Sequence, residues 1–529
     1  MLLLLLAALS ASDYTGRYQQ SDGNVVYVTQ QKGTLIVRPL FWRATQELVP
    51  DGEDRFHSRE RPERKALFTR DEKGRVVSLT MNGIGHDAPM PRLTHERRVP
   101  AELLMHGKPR EAAKAVAPEV AIAWGEFLAR ALPSKSNDAA TFVQAVAKKH
   151  PSNTKLRQVE GSLLLAAGRR TEAKQAFAAA GDEVSLRMMA PSPELDALFA
   201  KPTREEIETV LARWAKRDLA PRGVQLVHRG TLGDAEVRIL SHRVHGSLHY
   251  GAVIVPHVAT GFSPSRPVVV EAKGVSPSYF PLDVARAYAP DILGKDFIYL
   301  LPSYRGEVLQ FDGRSWTSEG DRTDVWDGAT DDFIAFTAAA LSVTPEADGE
   351  RVCAFGKSRG GAVALLAGIR DRRFDCVAAW AAPTDHFFEM VQSGWTPRER
   401  AAEGLRVKSD VFGIGGQFLE TFLARPRSVA EQRLHLIASS PLWFAERLPA
   451  TQAHYGLDDN MVSVRNGRAL ASRNGKVEMV FHEEAGHDLD KEKAYRETAR
   501  FLARQLLNAG QAAACHRPRE GQAEARPTS

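Results

Sequence analysis

The run Gly356-Lys357-Ser358-Arg359-Gly360-Gly361 follows an apolar stretch ending at Phe355 and leads directly into Ala362-Val363-Ala364-Leu365-Leu366-Ala367-Gly368. Strand, sharp corner and helix form the context in which a G-x-S-x-G turn lifts a serine hydroxyl above a sheet. The glycines remove side chains that would collide, and the helix N-terminus favours developing negative charge. Ser358 is therefore the candidate nucleophile, weighed against a plainer role in capping a tight turn. A serine hydroxyl is a weak nucleophile at neutral pH, so the chemistry demands a histidine base and an acid to orient it, both C-terminal in this arrangement. Gly456-Leu457-Asp458-Asp459-Asn460-Met461-Val462 supplies the acid, Asp458 or Asp459, and Glu484-Ala485-Gly486-His487 supplies the base, His487. The order Ser, Asp, His is kept. Such a set performs acyl transfer on an ester or peptide carbonyl and requires no cofactor and no metal. The oxyanion would be bound by the backbone N–H of Arg359 and by a second one from Glu271-Ala272-Lys273-Gly274-Val275, at Lys273 or Gly274.

Other residues compete for attention. Lys357 beside the serine would favour an acidic substrate group, but the plainer reading is a solvated or salt-bridged turn residue. His454 and His482 are weaker candidates for the base. His482-Glu483-Glu484-Ala485-Gly486-His487 looks like a zinc-protease helix, yet its histidines are five apart, roughly 140° around a helix, and cannot share a metal. His242, His245 and His249 span an odd interval, which on a single strand turns them to opposite faces, although Gly246 signals a hairpin.

The elements that must position these groups begin near Leu219. Apolar runs at 252–255, 267–270, 297–300, 352–355 and 376–380 alternate with helical patterns at βα spacing, which implies an α/β domain with a mostly parallel sheet covered on both faces. With 529 residues, three or four folding units are expected. The divisions read from the sequence are an export signal at 1–12, a small antiparallel β-domain at 13–98, a helical segment at 99–190, a linker helix at 191–218, the α/β domain at 219–509 and a disordered tail at 510–529. Gly161, Leu165, Gly168, Ala173 and Phe177 resemble a tetratricopeptide pattern, but one repeat cannot bury a continuous core, so a helical spacer is expected.

Composition narrows the classes. A hydrophobic content of 43% with 26% charged residues excludes wholesale disorder, and 70 basic against 65 acidic residues, interspersed, argues against nucleic-acid binding. Three cysteines, Cys353, Cys376 and Cys515, are too few for a disulfide framework. No apolar run is long enough to span a membrane. The apolar start Met1–Leu9 followed by Ser10-Ala11-Ser12 predicts export to the periplasm or exterior.

Residues 219–509 resemble the α/β-hydrolase catalytic domain of the prolyl oligopeptidase and related serine esterase families. The likeness is carried by the serine turn together with Ser303-Tyr304-Arg305-Gly306, Trp326-Asp327-Gly328 with Asp331-Asp332, Arg373–Val377 ending at Pro383-Thr384-Asp385, and Ser440-Pro441-Leu442 with Leu448-Pro449. The resemblance implies a doubly wound α/β-hydrolase fold and a serine hydrolase. Its acid-loop pattern Gly-x-x-Asp-x-x-Val, laid on Gly456 and Val462, selects Asp459 over Asp458 and leaves His487 as the base. The chain departs from the family at Glu271–Val275, where relatives carry His-Gly-Gly, and in the 200 or so residues that precede the domain, which do not read as the β-propeller of a prolyl oligopeptidase. Tyr14–Tyr18 and Phe68–Val76 resemble the small lipocalin-like β-domains attached to secreted bacterial serine hydrolases. The expected substrate is a small ester or a short peptide, with Trp395, Phe412, Phe418 and Phe422 shaping the acyl site. The alternative is a scaffold of little or no activity that binds a protein partner through residues 100–190.

Overall fold

The computed structural model describes residues 11–507 apart from 32, 42–45, 60–63, 83–87, 132–134, 191–192, 258–264, 275–281, 288–294, 322–323, 387–427, 458, 460–461 and 484. Residues 1–10 of the expected export segment, the tail at 510–529, Asp458, Cys515 and the aromatics Trp395, Phe412, Phe418 and Phe422 lie outside the described residues. The chain divides into two compact units between Ala190 and Pro191.

In the first unit, eight strands pair antiparallel in chain order: β1 (Gly16–Gln19), β2 (Val25–Gln31), β3 (Thr34–Pro39), β4 (Gln46–Pro50), β5 (Arg55–Ser58), β6 (Lys65–Arg70), β7 (Val76–Met81) and β8 (Met90–Pro91). A bridge between Tyr18 and Arg92, with Leu93 N–H donating to the Arg17 carbonyl at 2.7 Å, brings the end of the sheet back to its start. The result is a nearly closed barrel. Alternation of apolar and polar residues puts one face inward, and Tyr14, Tyr18, Phe56 and Phe68 fill the interior with tilted and edge-on ring contacts.

The helices α1 (Pro100–Met105), α2 (Pro109–Ala112), α3 (Pro118–Ala131), α4 (Ser136–Ala147), α5 (Thr154–Ala166), α6 (Arg170–Ala180) and α7 (Glu183–Met189) follow. Phe177 of α6 packs against α5 at Gly161, where an added Cβ would stand 2.6 Å from the ring. Gly161 and Phe177, two positions of the sequence pattern, thus meet at this helix pair.

In the second unit, α8 (Pro193–Phe199) and α9 (Arg204–Ala215) precede the sheet; Thr203 and Glu206 form a reciprocal capping box at the start of α9. The strands that follow are β9 (Arg222–Leu232), β10 (Ala235–Val244), β11 (Ser247–Pro256), β12 (Arg266–Ala272), β13 (Leu282–Asp283), β14 (Ile298–Pro302), β15 (Val308–Phe311), β16 (Arg314–Thr317), β17 (Ala347–Lys357), β18 (Phe374–Trp380), β19 (Ala450–Gly456) and β20 (Glu478–His482). Nine of them form one mixed sheet in the order β20-β19-β18-β17-β12-β14-β11-β10-β9, parallel from β20 to β14 and antiparallel from there to β9. This is the doubly wound α/β-hydrolase sheet expected from the sequence. From β12 the chain moves outward to β14 on one side, and it later returns to β17 on the other. The crevice outside the carboxyl ends of β12 and β17 is therefore a topological switch point, where such sheets bind ligands.

The longer helices that accompany these strands are α10 (Asp327–Val343), α11 (Arg359–Arg370), α12 (Val429–Ala438), α13 (Val464–Arg473) and α14 (Lys491–Leu506). The charged landmarks of the sequence are structural here. Arg217 binds Asp327 at 2.6 Å and Asp331 at 3.0 Å, and Arg370 binds the same two carboxylates. Burial would raise the Asp331 pKa, but His245, Arg370 and Arg217 outweigh it and hold the carboxyl below its usual range.

One reading changes, and one bond is added to what the sequence led us to expect. The odd spacing of His242 and His249 does not turn them apart, because the chain reverses at His245 and Gly246, both at positive φ, and sets the two histidines directly opposite each other on β10 and β11. Their rings face at 5.8 Å between centroids. Cys353 and Cys376 occupy directly paired positions on β17 and β18 and are disulfide-bonded, a single bond that the cysteine count did not foretell and that makes no framework.

Candidate active site

Ser358 stands between β17 and α11 with φ 58° and ψ −126°, a conformation that L-residues rarely adopt and that the surroundings must enforce. They do so through backbone. Ser358 N–H donates to the Trp380 carbonyl at 2.8 Å, and the flanking glycines are pressed against main chain. A Cβ on Gly356 would lie 2.4 Å from the Gly360 oxygen, and one on Gly360 would lie 2.0 Å from the Ala272 oxygen. Only glycine fits either place.

Asp459 and His487 are brought together. His487 Nδ1 is 2.9 Å from Asp459 Oδ2, while Asp459 Oδ1 accepts the Val462 N–H at 2.9 Å. The Asp459 side chain is wholly buried and that of His487 is 14% exposed. Two loops make this possible. Leu457 N–H donates to the His482 carbonyl at 3.0 Å, and the carbonyls of Ala485 and Gly486 pack on Gly456 so closely that a Cβ there would meet them at 2.3 and 2.4 Å. Among the described residues the Ser358 hydroxyl makes no hydrogen bond, to His487 or otherwise. The serine corner and the histidine loop are instead joined one residue away, by Lys357 Nζ on Asp488 Oδ1 at 2.6 Å. Lys357 is thus salt-bridged, as its plainer reading had it.

The two residues named as candidate oxyanion donors lie next to the serine. Arg359 begins α11, and Gly274 lies just past β12, where an added Cβ would be 3.2 Å from the Lys357 carbonyl and 3.9 Å from Ser358 Cβ. Sequence reasoning overlooked Glu307, whose carboxylate pairs with the Arg359 guanidinium at 2.8 Å. Its signal was an acid placed directly after the Tyr304-Arg305-Gly306 turn.

His454 and His482 are taken up by each other, ring nitrogen to ring nitrogen at 3.1 Å, with Gln452 on the far side of His454 at 2.8 Å. Burial holds the pKa of His454 down to about 3, helped by His482 and Lys493. Burial likewise holds His242, facing His249 and Asp332, and His386, on the Ser439 carbonyl, each down to about 4 from 6.5. A lowered folded-state value means the unfolded chain takes up protons first. Stability should therefore be intact above pH 6.5 and fall as the pH drops from 6.5 toward 4. Each imidazole should take away roughly 2 kcal/mol by pH 5. Urea unfolding at pH 7 and pH 5 checks this: the midpoint should drop sharply, and the drop should shrink in His242→Phe.

Residues 286–405 match the prolyl oligopeptidase family. No curated protein matches the chain. Among solved structures, acetyl xylan esterase 1 from Thermoanaerobacterium sp. JW/SL YS485 is similar at 15% identity and a TM-score of 0.41, over 60% of this chain and 100% of the esterase. A puromycin-hydrolyzing peptidase of Mycobacterium tuberculosis is similar at 17% identity and a TM-score of 0.35, over 53% of this chain and 47% of that one. The acylaminoacyl peptidase of Pyrococcus horikoshii is similar at 15% identity and a TM-score of 0.36, over 52% of this chain and 42% of that one.

Proposed function

From the premise that the second unit is a serine hydrolase of the α/β-hydrolase superfamily, we propose that it cleaves a small ester or short peptide through an acyl-enzyme formed on Ser358. His487 Nε2 takes the hydroxyl proton as Ser358 Oγ attacks the carbonyl carbon, and returns it to the departing alcohol or amine as the tetrahedral intermediate collapses. Water then attacks the acyl-enzyme by the same route, releasing the acid and restoring the serine. Asp459 keeps the Nδ1 proton of His487 in place, so that Nε2 is the free base. The backbone N–H groups of Arg359 and Gly274 bind the developing oxyanion. No cofactor takes part. The observation that carries this reading is the 2.9 Å bond between His487 and a fully buried Asp459, beside a serine held at positive φ. The closing bond from Ser358 to His487 belongs to the substrate complex, since catalytic hydrogen bonds are commonly long in the free enzyme.

The test is covalent. A fluorophosphonate probe should label the folded protein at Ser358 and at no other residue, in parallel with turnover of a panel of p-nitrophenyl esters and aminoacyl amides. A folded protein that never labels and turns over neither class would overturn the reading and favour the scaffold alternative.

A further inference from the structure

Directly behind the candidate oxyanion site lies a buried charge cluster that the acyl-transfer scheme does not use. The Arg359 guanidinium is 6% exposed and Glu307 12% exposed, and Arg359 Nη2 is 2.8 Å from Glu307 Oε1. The same nitrogen donates to the Gly274 carbonyl at 3.3 Å. The guanidinium lies over the buried Tyr304 ring, 4.9 Å from its centroid, and Lys273 Nζ is 3.6 Å from the other oxygen of Glu307. Three separate pieces of chain meet here: the corner after β17, the turn after β12 and the turn after β14.

Of these, the turn after β14 is the fixed one. Asp332 Oδ2 accepts the Arg305 N–H at 2.8 Å, and the Arg305 guanidinium binds both Asp332 oxygens at 3.0 and 2.8 Å. Gly306 N–H donates to the Ser318 carbonyl at 2.9 Å, and Glu307 N–H to the Tyr304 carbonyl at 3.0 Å. Glu307 is thus presented from a rigid mount. Lys273 and Gly274, by contrast, lie beyond the last ladder position of β12, which pairs with β17 only as far as Ala272. A backbone N–H contributes to catalysis only if it already points where the oxyanion will form, within about 0.5 Å. Past Ala272, the sheet no longer supplies that alignment.

A buried ion pair adds little net stability, because desolvation offsets most of the attraction. What a planar guanidinium with several fixed donors does supply is geometry. We infer that Glu307 and the Arg359 side chain are positioning residues, which tie the Lys273–Gly274 turn to the nucleophile corner and aim its N–H at the oxyanion. Arg359 then has two duties: its backbone N–H is one donor, and its side chain holds, through the Gly274 carbonyl, the residue that carries the other. The inference rests on the reading of Ser358 as nucleophile.

The experiment uses the full chain with Glu307→Gln, Arg359→Met and Arg359→Lys, measuring p-nitrophenyl acetate turnover and the affinity of phenylboronic acid, which forms a tetrahedral adduct on the serine. Glu307→Gln and Arg359→Met should lower kcat by about 10- to 100-fold, somewhat less than the loss of a whole oxyanion donor, with KM within about twofold. Boronate affinity should fall in step with kcat/KM, a correlation that a purely structural role would not produce. Arg359→Lys keeps the charge and serves if the other two fail to fold. The lysine ammonium ends one bond short of Nη2 and cannot lie flat over the Tyr304 ring, so kcat should still drop about tenfold. A folded Glu307→Gln or Arg359→Lys with kcat within twofold of wild type overturns the inference, as does a loss confined to KM. Activity that persists in Ser358→Ala would instead defeat the nucleophile assignment beneath it.

Discussion

Ser358→Ala and His487→Ala are each expected to lower kcat by roughly 10⁵- to 10⁶-fold, the double variant by no more than either alone, and Asp459→Asn by roughly 10⁴-fold. The non-additivity is the informative part. Once the hydroxyl is gone, the base has nothing to deprotonate, so a second deletion removes no further function. The aspartate belongs to the same unit by a different route. Its one oxygen is 2.9 Å from His487 Nδ1 and the other is committed to the Val462 N–H, so the carboxylate is held in register with the ring. An asparagine of the same size can turn its NH₂ toward Nδ1, which leaves the proton on Nε2 and removes the base. Steady-state rates on the best ester of the panel, with circular dichroism to confirm folding, decide the matter. An Asp459→Asn variant within tenfold of wild type would remove Asp459 from the mechanism and move attention to Asp458.

The difference between what was legible in the sequence and what was not follows from how each feature is encoded. The serine corner is local: Gly356, Ser358, Gly360 and the apolar runs on either side sit within a few residues, and the conformation they require is the one found, with Ser358 at φ 58°. The parallel strands were legible for the same reason, since a strand buried on both faces is a contiguous apolar run. Asp459 and His487 come from loops 28 residues apart, and the sequence singled them out only through their order and the resemblance at Gly456 and Val462. The signature of Glu307 is only its place after the Tyr304-Arg305-Gly306 turn, which names no partner. Its partner Arg359 is 52 positions away, and the contact exists only because β14 and β17 flank β12. His242 and His249 show a mixed outcome: Gly246 signalled the hairpin that forms, while counting along one strand put the two rings on opposite faces, where the hairpin sets them opposite each other as partners.

Gly360→Ala is expected to destabilise the protein by about 3 kcal/mol or more, placing it among the severe single substitutions. The new methyl carbon would stand 2.0 Å from the Ala272 oxygen, 2.7 Å from the Ala272 carbonyl carbon and 3.0 Å from the Lys273 carbonyl carbon. All three are main-chain atoms at the end of β12, so no rotamer change relieves the clash. Either α11 or the β12 turn must retreat. Gly475→Ala serves as the control, because a Cβ there meets nothing within 4 Å and its φ lies outside the left-handed region. That substitution should change stability by less than about 1 kcal/mol and act mainly on the unfolded chain. Thermal melts of the two variants separate packing from composition. Activity then separates two modes of relief in whatever Gly360→Ala protein still folds. If the β12 turn gives way, the Gly274 N–H proposed as an oxyanion donor is displaced, and kcat should fall far more than the folded fraction does. If α11 gives way, Ser358 loses its positive φ and the rate of phosphonate labelling should collapse as well. A variant that melts and labels like wild type would show that the corner does not need its glycine, and with it the account of how this sequence exposes its serine would fail.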